Sequence, residues 1–236
     1  MKKYIPNTIT SCNLISGCIA TCFAFLGQTE MALLWIVIGA VFDFFDGMSA
    51  RLLNVSSPIG KELDSLADDI TFGVAPSTIL YYELTVIDYP SFLEPFREYL
   101  PFLAFIMAAF SALRLAKFNL DERQSLGFIG MPTPANALFW GSLVCGYSSI
   151  IERSSYSVLI LLALMLFCCW LLVCEIPMFA LKFKHWGIHE KGNIVKYGFI
   201  AFSACVLAIG QIAGIAAVIV AYVIVSIILD ITARKA

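Results

Sequence analysis

Apolar runs long enough to cross a lipid bilayer as helices recur along this chain and leave little room for other architectures. A hydrocarbon core about 30 Å thick takes roughly 20 such residues per helix. Eight runs are read from the sequence: 9–26, 31–53, 60–82, 99–118, 135–148, 156–179, 194–209 and 212–229. The fifth is short, and only Gly210 and Gln211 separate the last two. Charged residues make up 14% of the 236 positions, against about 25% in soluble domains. The expected fold is an all-α integral membrane protein of about eight transmembrane helices, forming a single domain over residues 1–236.

Orientation follows from the basic residues, which concentrate in cytoplasmic segments. With the N-terminus inside, 13 of the 15 Lys and Arg fall on the cytoplasmic side, and Arg97 and Arg153 alone face outward. Both termini are then cytoplasmic. The net charge of -2 lacks the basic excess of nucleic-acid binders, so no nucleic-acid partner is expected. The opening Met-Lys-Lys has the charge of a signal peptide, but Thr10, Ser11, Asn13 and Ser16 interrupt the apolar stretch that follows. Those polar groups are expected to face neighbouring helices. All eight cysteines fall in apolar runs without a C-x-x-C pair, which reads as buried free thiols acting as small hydrophobes.

Ionisable residues inside spanning helices are costly and point to function. The second run carries Asp43 and Asp46, and the third carries Asp64, Asp68 and Asp69. At about 100° per residue, Asp43, Asp46, Gly47 and Ala50 share one stripe, and Gly60, Asp64 and Asp68 share another. The short connection after Arg51 makes the two helices antiparallel neighbours, so four carboxylates are expected to converge. Either they bind divalent cations, with Mg²⁺ or Mn²⁺ suited to hard oxygen ligands, or they form a proton-shared or Arg51-paired structural cluster. Asp69, about 100° from Asp68, is a candidate for such a structural role. Gly47, Ala50 and Gly60 remove bulk, either for a flat ligand or for close helix packing. Arg51 is shaped for a diphosphate, with an interfacial anchor as the alternative reading.

Together these residues read D-x-x-D-G-x-x-A-R-x8-G-x3-D-x3-D from Asp43 to Asp68 without departure. The pattern resembles the CDP-alcohol phosphatidyltransferases. The resemblance implies a dimeric membrane enzyme with a six-helix core, here extended by two helices. Such an enzyme moves a phosphatidyl group from CDP-diacylglycerol to an alcohol, releases CMP, and opens its active site to the cytoplasm of the inner membrane. It implies that Asp43, Asp46, Asp64 and Asp68 hold two divalent cations and that Asp68 is the general base. It further implies CDP contacts from Asn7 beside Pro6, and from Gly47, Ala50, Arg51, Ser57 and Gly60.

Three further segments are similar to the phosphatidylserine synthase branch of that family: 65–76, 112–119 and 130–135. L-serine is then the expected acceptor, with Arg114, Lys117 and Asn119 as its pocket; Arg114 and Lys117 also suit positive-inside anchors. Glycerol-3-phosphate or inositol phosphate is the alternative acceptor within the family. A divalent-cation transporter is the alternative from another class. Residues 130–134 read as a rigid turn into the fifth run, as a substrate wall or as simple punctuation. Glu175, read as lying near the cytoplasmic end of the sixth run, is a candidate for the serine ammonium or a snorkelling residue. His185 and His189, four apart, are a weaker metal pair because Gly187 lies between them.

Overall fold

The computed structural model describes residues 4–55, 57–121, 128–179 and 193–235. Its helices are α1 (Tyr4–Phe25), α2 (Thr29–Leu52), α3 (Pro58–Asp68), α4 (Ala75–Val86), α5 (Ile106–Leu120), α6 (Thr133–Ile151), α7 (Ser157–Val173) and α8 (Asn193–Lys235). A π-helical turn, Asp69–Val74, joins α3 to α4 in one continuous rod. Two short strands, β1 (Phe128–Ile129) and β2 (Pro177–Met178), pair antiparallel, Phe128 opposite Met178. The chain is an all-α membrane protein in its described elements, this two-residue ribbon aside. Among the described residues, four helical stretches are long and apolar enough to span a bilayer: Tyr4–Phe25, Thr29–Leu52, Leu100–Leu120 and Ile194–Thr232.

The helix ends obey local chemistry. Gly27, with φ 71°, closes α1 in the left-handed conformation that favours glycine, and its N–H donates to Ala24 O at 3.0 Å. Asn54, with φ 51°, ends α2 in the same way. Ser57 then starts α3 by accepting the Gly60 N–H at 3.0 Å, with Pro58 at the first helical position. These two signals reverse the chain within a few residues and set α3 beside α2.

On the outside, large apolar side chains replace the polar surface of a soluble bundle, and small and polar residues are buried on α1. On α1 the buried stripe is Pro6, Thr10, Asn13, Ser16, Gly17, Ala20 and Ala24. Large residues such as Ile15, Leu34, Val41, Phe44 and Trp170 are exposed. Lipid is as apolar as leucine, so helices associate through small and polar faces that approach closely. The first core accordingly uses Ala20, Ala24, Ala32 and Ala137 around Phe72. The second, between α4, α6, α7 and α8, is built on Trp140, Leu84, Met165 and Leu172.

Gly17 makes one of these close approaches. A Cβ there would meet the Thr71 Cα and N at 2.8 Å. Gly17→Ala is therefore expected to lower the thermal unfolding midpoint in detergent, because forcing backbone apart costs about 1–3 kcal/mol.

Several expectations are revised. The sixth apolar run continues to residue 179, but α7 stops at Val173 and Cys174 is extended (φ −67°, ψ 159°). Glu175 therefore lies beyond the helix, not within it. The last two runs share α8, where Gln211 (φ 47°, ψ −125°) reverses the chain into a hairpin and the Phe199 and Tyr222 rings stand 6.2 Å apart. Only Cys168 and Cys169 are fully buried, while Cys18, Cys22 and Cys205 are exposed. A thiol that behaves as a hydrophobe has no need of burial on a lipid-facing surface.

Candidate active site

The reversal at Asn54–Ser57 sets the C-terminal half of α2 against α3. Carboxylate oxygens of Asp43, Asp64 and Asp68 lie within 4.8 Å of one another. No ion pair among the described residues neutralises them. Asp46, expected in the same group, faces an adjacent cleft. Its carboxylate is not among the oxygens that gather within 4.8 Å. It remains within electrostatic reach of Asp43, Asp64 and Asp68. Asp46 is 5% exposed, and its Oδ2 has no hydrogen-bond partner. Hard carboxylate oxygens gathered this closely, with one more buried and unsatisfied beside them, could hold a metal ion. Asp69 stays outside the group, its Oδ1 buried near Gly73.

Asp68 is oriented from α1. The Asn13 amide donates from Nδ2 to Asp68 Oδ1 at 3.0 Å, and the Thr71 hydroxyl donates to Asn13 O at 3.0 Å. Asn13 is completely buried. Sequence reasoning places Asn13 on a packing face without linking it to the aspartates. Its i, i+3 spacing from Thr10 and Ser16 is the available signal.

A cleft of about 270 Å³ opens beside the cluster, lined among others by Asn7, Asp46, Gly47, Ala50, Ser57, Gly60 and Asp64. Five of the six residues expected at the nucleotide are thus brought together. Thr10, Val55 and Lys61 also line it. A methyl group placed on the Gly47 Cα would meet no atom within 4 Å, so the space beside it is open. At Gly60 a Cβ would meet Ser57 Oγ at 2.9 Å and Asn7 Oδ1 at 3.0 Å, which explains glycine there. Arg51 is exposed at the end of α2 and is not part of this lining. Lys61 donates from Nζ to Asn119 O at 2.8 Å.

A second cavity, about 350 Å³, includes Arg114, Lys117 and Glu175 in its wall. Arg114 is 6% exposed, and its Nε and Nη2 have no hydrogen-bond partner. Its guanidinium stands over the rings of Phe118 at 5.0 Å and Phe128 at 5.9 Å, and it is within electrostatic reach of Asp68. Lys117 donates to Val173 O at 3.4 Å. Asn119 is directed elsewhere: its Nδ2 donates to Ser65 Oγ at 2.7 Å, tying α5 to α3. The 130–134 turn is ordered by Gly130 (φ 74°), whose N–H donates to Ile176 O at 2.9 Å, and by Met131, which donates to Leu171 O at 2.8 Å. His185 and His189 lie outside the described residues.

Known proteins bear on this geometry directly. The sequence profile of the CDP-alcohol phosphatidyltransferases matches residues 3–229. A Bacillus subtilis (strain 168) protein named CDP-diacylglycerol--serine O-phosphatidyltransferase is 35% identical over 196 residues, 81% of this chain and 96% of the relative. Proteins of the same name are 33% identical in Methanocaldococcus jannaschii, over 69% of this chain and 68% of the relative, and 37% identical in Helicobacter pylori (strain 26695). The match to the H. pylori protein spans 54% of its length and 56% of this chain. With the aspartate cluster and the small-residue cleft in place, the profile match over almost the whole sequence leads to one assignment: the chain belongs to the CDP-alcohol phosphatidyltransferase family.

Proposed function

We propose that this enzyme transfers the phosphatidyl group of CDP-diacylglycerol to the hydroxyl of L-serine, giving phosphatidylserine and CMP. The observation that carries the reading is the match to the serine-named B. subtilis relative over 96% of that protein's length. The acceptor side is supported by a buried guanidinium, Arg114, with unpaired N–H groups beside the aspartates.

Asp43, Asp46, Asp64 and Asp68 would hold two divalent cations, Mg²⁺ or Mn²⁺, which when bound offset the charge of the diphosphate. Asn7, Gly47, Ala50, Ser57 and Gly60 shape the cleft for the CDP moiety, and Lys61 adds a basic group to its wall. Arg51 meets the diphosphate by turning inward from its exposed position. Asp68 Oδ1 is engaged by Asn13, so Oδ2 takes the proton of the serine hydroxyl. The hydroxyl oxygen then forms its bond to the lipid-bearing phosphorus as the bond to CMP breaks. Arg114 binds the serine carboxylate, with Lys117 and Glu175 on the same wall, and Asn119 holds α5 against α3 at its edge.

The same reading includes one membrane domain over residues 1–236, eight spans, both termini cytoplasmic and an inner-membrane enzyme open to the cytoplasm. The placement of Arg97 supports it: this residue pairs with Glu94 at 3.2 Å on the segment after α4, at the end of the rod opposite Asp64 and Asp68. Family resemblance adds a homodimer in contact with membrane lipids.

The test is CMP release by purified protein with CDP-diacylglycerol and Mn²⁺, comparing L-serine, glycerol-3-phosphate and inositol phosphate. Release with serine alone is expected. Release only with a phosphorylated acceptor would move the assignment within the family. Labelled CMP should not exchange into CDP-diacylglycerol when serine is absent; rapid exchange would instead require a covalent phosphatidyl-enzyme.

Gly47 supplies a sharper check on the cleft. Open space surrounds it, and alanine is favoured over glycine in a helix interior by about 0.8–1 kcal/mol. Gly47→Ala is expected to hold or raise the unfolding midpoint while raising KM for CDP-diacylglycerol about tenfold or more, the effect of about 1.4 kcal/mol. Unchanged kinetics would remove the nucleotide from this wall.

A further inference from the structure

A cavity larger than both of those near the aspartates lies at the other end of the bundle. It is about 610 Å³ and is walled by Gln28 and Glu30 from the α1–α2 turn region, Tyr82 and Glu83 from α4, and Ser148 and Glu152 from the end of α6. Glu30 precedes Asp46 by sixteen residues on α2, which separates the two sites by about 24 Å along the helix. This cavity is therefore distinct from the aspartate cluster and from both cavities near it.

Its charge is one-sided. Glu83 is 4% exposed and its Oε1 has no hydrogen-bond partner. Glu152 is close enough to Glu83 for electrostatic repulsion, and both Glu30 and Glu152 are exposed at the mouth. Among the described residues, no Lys, Arg or His lines the cavity. A buried carboxylate without a donor is expensive to keep, and repulsion from a neighbouring carboxylate adds to that cost. The missing component is a cation that brings hydrogen-bond donors.

Size and spacing choose its class. The three glutamates do not form a close oxygen cluster of the kind that Asp43, Asp64 and Asp68 form within 4.8 Å. A bare metal ion would leave most of 610 Å³ unfilled and would not reach all three at bonding distance. Ammonium groups spread along a flexible organic chain meet both conditions, and Tyr82, Val86 and Val144 offer apolar surface for the intervening carbons.

We propose that this cavity binds an organic cation bearing primary ammonium groups, with Glu83 as the buried anchor and Glu30 and Glu152 at the entrance. The source is either a soluble polyamine or the amine headgroup of a lipid.

Isothermal titration of the full chain in neutral detergent with spermidine tests the proposal. One saturable site is expected. Glu83→Gln should weaken it by at least about thirtyfold, the effect of losing a buried charged partner, and Glu152→Gln by about two- to fivefold, as for an exposed pair. Asp43→Asn should leave it unchanged. Absence of saturable binding overturns the proposal, as do equal affinity in wild type and Glu83→Gln, loss of binding in Asp43→Asn, or Mg²⁺ binding that depends on Glu83 while spermidine binding does not. If Glu83→Gln fails to fold, Glu152→Gln decides, and an unchanged affinity there overturns the proposal. Weaker apparent spermidine affinity in phosphatidylethanolamine than in phosphatidylcholine nanodiscs identifies the headgroup as the source; equal affinity identifies the soluble amine.

Discussion

Asp68→Asn is expected to reduce serine-dependent CMP release by about 10²–10⁴-fold, the usual contribution of a positioned general base, without loss of folded protein. The substitution preserves shape. Asn13 still reaches the oxygen it now holds at 3.0 Å, while the acceptor for the serine proton is replaced by an amide. The cluster also loses one of its three converging carboxylates, so metal affinity is to be measured alongside turnover. If activity falls while metal binding is retained, the base assignment holds. Asn13→Ala separates the two effects further: it leaves every carboxylate in place but frees Asp68 to rotate, and a fall in kcat with KM for both substrates unchanged is the expected pattern. Near-normal turnover in Asp68→Asn would require another base.

Arg114→Met should lower kcat/KM for serine by about 30- to 4000-fold, corresponding to about 2–5 kcal/mol for truncating one member of a desolvated charge pair. KM for CDP-diacylglycerol should change little. The physical ground is that Arg114 is buried with Nε and Nη2 unpaired, over the rings of Phe118 and Phe128. A guanidinium kept in that state has unused donors, which under the proposed function would meet the carboxylate of serine. Arg114→Lys should recover only part of the loss, because an ammonium supplies charge without the planar fork. An equal loss for both substrates would make Arg114 a fold-supporting residue of α5.

Much of the candidate site is legible in the sequence because its signals are local. Spacing of three and four residues puts Asp43 with Asp46 and Asp64 with Asp68 on shared helix faces, and the small residues Gly47, Ala50 and Gly60 do line one cleft. The pair Gly210–Gln211 marks a break, and the chain reverses there. What is not legible depends on partners far apart in sequence. Asn13 and Asp68 are 55 positions apart, and nothing in a single chain links them. Asn119 reads as a pocket residue from its nearness to Arg114, but helix phase turns it toward Ser65. Glu175 reads as helical because hydropathy continues past Val173, while the backbone leaves the helix at Cys174. Glu83 escapes notice although it is deeply buried, since it sits near the end of an apolar run and carries no motif.

The π-helical turn at Asp69–Val74 has a consequence for comparing this chain with its relatives. A π turn inserts an additional residue into one turn of helix, so the angular phase carried from Pro58 to Asp68 does not continue unaltered into α4. A wheel drawn straight through this segment assigns the wrong faces beyond it. By the same geometry, a one-residue gap in an alignment has different meanings along the rod. Inside α4 it would rotate every following side chain by about 100° and scramble the core around Leu80 and Leu84. Inside 69–74 it would convert a wide turn into an ordinary one, so relatives with and without that residue would keep nearly the same faces of α4 while their numbering beyond the aspartates shifts by one.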